Sequence, residues 1–195
     1  PEEYVKSAQA FLVSADALGG QLDVSLRRTM AEVLYGRGVS DSSHGKGALN
    51  IPPQPARFNR RWDRSPDEWN KHIKLVASLW SKSERISDIQ VWAFNVLKSQ
   101  KVPLPSLTST GLRLALVSLR TAVRKEACSQ IADQPQKFLH LDASSSVAFL
   151  NFSSEKQFRK VLTVLESNKP SQAIHEAIAS FLNSNGMPAI LRGER

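Results

Sequence analysis

Apolar residues return at three- and four-residue spacing along most of the chain, which is the period of helices with one buried face. Val5, Ala8, Leu12 and Ala15 share such a face across residues 3–18, and Gly19-Gly20 stop the run. Beyond Asp23, a suitable N-cap, Leu26, Met30, Val33 and Leu34 repeat the pattern until Gly36. The short stretch between the two predicts an antiparallel helical hairpin. Residues 36–56 then lose all periodicity and carry four glycines and three prolines, so they are expected to form a long flexible loop.

Ser65-Pro66-Asp67-Glu68 signals a helix start, with a Ser cap, Pro at the first helical position and Glu placed for a capping box. Trp69, Ile73, Val76 and Trp80 form its apolar stripe. Ser87 or Asp88 starts the next helix, which turns Ile89, Trp92, Ala93, Val96 and Leu97 inward and ends before the extended Val102-Pro103-Leu104-Pro105. From Thr108–Thr110 one long helix is expected to run to about Ile131, with Leu112, Leu116, Leu119, Val123 and Ala127 in one arc. Asp133 to Pro135 end it.

Residues 147–152, VAFLNF, fit a strand or a buried helix by periodicity; helix is favoured because no partner strand is evident. Ser153 or Ser154 opens a helix burying Phe158, Val161, Leu162 and Leu165, stopped by Asn168 and Pro170. The last helix carries Ile174, Ala177, Ile178, Phe181 and Leu182, and Asn185-Gly186 closes it ahead of a loose tail at 187–195. The expectation is an all-α fold of about seven helices. It forms a single domain over 1–195, without a repeat of fixed period.

Composition fits a packed core: 41% of the 195 residues are hydrophobic and 23% charged. No apolar run approaches the ~20 residues of a membrane span. The start, Pro-Glu-Glu-Tyr, lacks the basic region of a secretory signal, which leads to an expectation of the cytoplasm, with a virion as the other compartment. Cys128 is the one cysteine and permits no internal disulfide.

Charge changes the picture more. The net charge is +8, and residues 51–130 hold 14 Lys and Arg against 6 Asp and Glu, so the whole excess lies in this stretch. Such asymmetry costs self-repulsion and is offset most naturally by an anionic partner. Within it, Arg57-Phe58-Asn59-Arg60-Arg61-Trp62-Asp63-Arg64 combines four guanidiniums with two large aromatics. Arginine forks hold phosphates bidentately and an exposed indole stacks on an unpaired base, which is the chemistry of single-stranded nucleic-acid binding. The competing arrangement has Phe58 and Trp62 stapling the loop to the core, with the arginines solvated or paired to Asp63 and Asp67.

The second cluster lies on the predicted 112–131 helix. With Leu112 as zero, Arg113, Arg120 and Arg124 fall at about 100°, 80° and 120°, one stripe bordering the buried arc. Lys125 adds a fourth cation. Together they are expected to line a groove that tracks a phosphate backbone, against the alternative of internal pairing with acidic residues.

Catalysis is not indicated. His44, His72, His140 and His175 are scattered, no CxxC or HExxH occurs, and Gly45-Lys46-Gly47 lacks the spacing of a P-loop. Cys128 lies near Arg124, which would lower its pKa, but a structural thiol is the favoured role. No cofactor and no metal is expected.

These observations lead to the expectation of a non-enzymatic, self-assembling RNA-binding structural protein of nucleocapsid or coat type. Its nucleic-acid-binding residues would be Arg57, Arg60, Arg61, Trp62, Arg64, Arg113, Arg120, Arg124 and Lys125. The viral comparison rests on analogy of architecture. The alternative is a helical interaction module whose basic face meets an acidic partner or an anionic membrane surface.

Overall fold

A computed structural model of the chain describes residues 2–19, 24–35, 65–168 and 170–185. Among them are ten α-helices and a 3-10 helix, with no strand. The all-α class is therefore as the periodicity predicts. The expected loop at 36–56 and tail at 187–195 lie outside the described residues. The chain groups into two compact units, Pro1–Ser106 and Leu107–Arg195, each described in turn.

In the first unit, α1 (Glu2–Leu18) and α2 (Val24–Tyr35) form the predicted hairpin. The Tyr4 hydroxyl at the start of α1 donates to the Val33 carbonyl near the end of α2 (3.0 Å), so the helices run antiparallel. The predicted faces are buried: Val5, Ala8, Leu12 and Ala15 on α1, Met30 and Leu34 on α2.

The helix expected from Pro66 is two pieces, α3 (Pro66–Lys71) and α4 (Ile73–Lys82), broken at His72. The His72 carbonyl accepts from the N–H groups of Leu75 and Val76, which starts the new turn. Trp69, Val76 and Trp80 remain buried on both sides of the break. The capping box at Ser65 does not form. Ser65 is held in the left-handed region (φ 58°) and its side chain caps nothing, while the Glu68 carboxylate accepts from Lys71 Nζ at 3.0 Å.

Helix α5 (Ser87–Ser99) packs on α4 and buries Ile89, Trp92, Ala93, Val96 and Leu97 as expected. Trp69 lies edge-on to Trp92 at 4.8 Å between ring centroids and to Tyr4 at 6.4 Å. That aromatic contact joins α1, α3 and α5 in one core.

A second tie reaches the same unit from the end of α1. The Asp16 carboxylate accepts from three consecutive backbone N–H groups, Glu84 (2.8 Å), Arg85 (3.2 Å) and Ile86 (2.8 Å), just ahead of α5. Arg85 Nη1 returns a bond to the Ala17 carbonyl at 2.8 Å. Gly19 fits beside it because its φ is +56° and a Cβ there would stand 2.7 Å from Arg85 Cδ. Asp16→Ala removes an anion from three donors, two of them at the surface, and is expected to cost about 1–2 kcal/mol of stability, measurable by urea unfolding.

The second unit is built from α6 (Ser109–Leu116), α7 (Thr121–Asp133), the 3-10 helix (Pro135–His140), α8 (Ala143–Phe152), α9 (Glu155–Ser167) and α10 (Gln172–Asn185). The VAFLNF segment is helical within α8. Leu112, Leu116, Val123, Ala127, Ile131, Phe138, Phe149, Val161 and Ile174 make its core. Phe138 and Phe149 meet edge-on at 5.3 Å. Thr108 caps α6 by accepting from the Gly111 N–H, and Ser154 with Gln157 forms a complete capping box on α9. The backbone of buried Leu107 is fixed at both ends: its N–H donates to Gln130 Oε1 (2.8 Å) and its carbonyl accepts from Lys137 Nζ (3.0 Å). Burial there pushes the Lys137 pKa down.

Candidate nucleic-acid interface

The helix expected from Leu112 to Ile131 is broken. Residues 117–120 form a turn between α6 and α7, and this overturns the predicted arginine stripe, because positions on one helix no longer project onto the other. The contacts at the break are polar. Buried Ser118 accepts the Arg120 N–H at its hydroxyl (3.2 Å), and its carbonyl accepts from Arg124 Nη1. Arg124 Nη2 reaches Thr121 Oγ1 at 3.0 Å. A serine that bonds nearby backbone and a guanidinium that satisfies its carbonyl together stabilise a turn in place of a continued helix. Leu119, expected in the buried arc, is 96% exposed.

The four candidate cations of this unit therefore take different positions. Arg113 on α6 donates through Nη2 to the His140 carbonyl (2.7 Å), and its Nε stands 3.6 Å from Asp142 Oδ2. Asp142 is itself the N-cap of α8, accepting from the Ser145 N–H at 2.8 Å. Arg113 thus braces the junction of α6, the 3-10 helix and α8. Arg124 braces the 117–120 turn and lies over the Phe152 ring at the end of α8, 4.1 Å from its centroid. Arg113 therefore has an acidic partner inside the fold, whereas the partners of Arg124 are a carbonyl, a hydroxyl and a ring. Arg120, at the N-cap of α7, and Lys125, exposed on its surface, have no side-chain partner among the described residues.

The other cluster, Arg57, Arg60, Arg61, Trp62 and Arg64, lies outside the described residues. A further basic surface went unnoticed in the sequence. Lys156, Arg159 and Lys160 lie on the exposed side of α9 around a shallow depression of about 600 Å³, also lined by Ser154, Glu155 and Thr163. Their i, i+3, i+4 spacing opposite Phe158 and Val161 was the available signal. Arg159 gives two bonds to Glu155 Oε1, from Nε (2.9 Å) and Nη2 (2.7 Å), and Lys160 reaches Asp133 at 3.4 Å. Lys156 has no side-chain partner among the described residues.

Cys128 is buried on α7. Burial pushes its thiol up to about 11, with Arg124 acting weakly in the opposite direction. The folded state therefore holds a proton that the unfolded chain releases from about 9, so this group's contribution to stability falls as pH rises from 9 to 11. Native protein is expected to leave Cys128 unreactive toward a disulfide reagent at pH 8, with one equivalent appearing only on unfolding.

Among the described residues no group of three His, Cys, Asp or Glu is placed to hold a metal, and no helix is long and apolar enough to cross a membrane. Set against known protein families, characterised proteins and solved structures, the chain matches none.

Proposed function

We propose that this chain is a non-enzymatic RNA-binding structural protein of nucleocapsid or coat type, which holds the phosphates of single-stranded RNA and self-associates along the strand. The observation that carries the reading is the confinement of the entire charge excess to residues 51–130, where Arg and aromatic side chains alternate from Arg57 to Arg64. Arg120 and Lys125, which have no carboxylate partner among the described residues, supply further cations in the same stretch. Phosphate contacts need cations whose charge is not already neutralised, and this separates Arg120 and Lys125 from Arg113, whose carboxylate partner is in place.

The test is fluorescence anisotropy of a labelled single-stranded RNA titrated at several salt concentrations. Wild-type affinity is expected to fall with log salt at about −0.7 per phosphate contact. The double variant Arg120→Ala/Lys125→Ala is expected to flatten that slope by about 1.4, without altering any preference for base sequence. An unchanged slope would remove these two residues from the interface.

A further inference from the structure

The 117–120 turn carries a second property that phosphate binding does not use. Val117 (53%), Leu119 (96%) and Phe152 (43%) are large apolar side chains that stand exposed in the second unit. Val117 and Leu119 flank Ser118, the Ser118 carbonyl is bonded to Arg124, and Arg124 covers part of Phe152. Arg120 follows Leu119 directly, at the N-cap of α7. The nearby Asp142 carboxylate is paired with Arg113.

The chemistry of the turn decides what it fits. Leu and Val have no π-face, so they gain nothing by stacking on RNA bases. A residue as exposed as Leu119, on a turn between two helices, would need a matching pocket in a protein partner. Fluid hydrocarbon accepts such a side chain without one, and cations beside it stand where anionic headgroups lie. We propose that the 117–120 turn docks on a bilayer containing anionic phospholipid, with Val117 and Leu119 seated at the acyl-chain boundary and Arg120 at headgroup level. The inference is independent of the RNA reading, although Arg120 is common to both surfaces.

The test is co-sedimentation of the full chain with phosphatidylcholine vesicles, with and without phosphatidylserine. Binding is expected only with phosphatidylserine present. Leu119→Ser is expected to lower the partition coefficient about tenfold, because one exposed leucine no longer enters hydrocarbon. Arg120→Ala is expected to lower it about fivefold. Leu119 contributes nothing to the core, so the helical circular dichroism of Leu119→Ser and its affinity for a single-stranded RNA should match wild type. Three results would overturn the proposal: no binding to phosphatidylserine vesicles, binding unaffected by Leu119→Ser, or a concentration-dependent oligomer that Leu119→Ser disperses. The last would assign the turn to a second copy of the chain.

Discussion

Trp80→Ala is expected to cost the first unit about 4 kcal/mol, the largest stability effect of any single change considered for this chain. Trp80 is fully buried on α4, against Phe94 of α5 at 5.5 Å between ring centroids. Its indole N–H also donates to the Pro105 carbonyl at 2.9 Å, which ties the end of the extended 102–105 connector to the helical core. Truncation removes the ring, leaves a cavity and takes the donor from Pro105. Trp80→Phe keeps most of the volume and loses the donor, so it should cost about 1–2 kcal/mol. Urea unfolding of the two variants separates packing from hydrogen bonding, and an unchanged midpoint for Trp80→Ala would contradict the assigned core.

The second large effect falls on binding. Trp62→Ala is expected to weaken single-stranded RNA binding by ~1–3 kcal/mol, the worth of one base stacked on an indole, with the salt slope unchanged because no phosphate contact is lost. A loss of slope with no loss of affinity extrapolated to high salt would assign Trp62 a role in positioning the neighbouring arginines. Unchanged affinity would support the competing arrangement, in which Trp62 staples the chain to the core.

Much of the fold was legible because helix burial follows a simple period. Val5, Leu12, Trp69, Val76, Trp80, Ile89 and Trp92 are buried where the spacing puts them. Caps were less uniform. Thr108 and Ser154 cap as their sequences suggest, yet Ser65, with the fullest local signal, does not: its backbone is left-handed and its side chain makes no cap bond. Local signals state a preference that tertiary context can override.

The candidate site was legible in composition and not in geometry. Across Leu112 to Ala127 the apolar arc continues as if no break existed. The turn at 117–120 depends on Ser118 and Arg124 finding one another, and Arg124 in turn depends on Phe152, 28 positions away in sequence. Periodicity carries no information on such contacts. The same contacts decided which cations are committed inside the fold and which face outward, a distinction that charge counting cannot make.

The central claim is that the charge concentrated in residues 51–130 exists to hold the phosphates of single-stranded RNA. Its most direct test is the affinity of the wild-type chain for a single-stranded RNA across salt concentration. The account predicts measurable binding at low salt and a straight decline of log K against log salt corresponding to several phosphate contacts. No binding at low salt, or an affinity indifferent to salt, would contradict it.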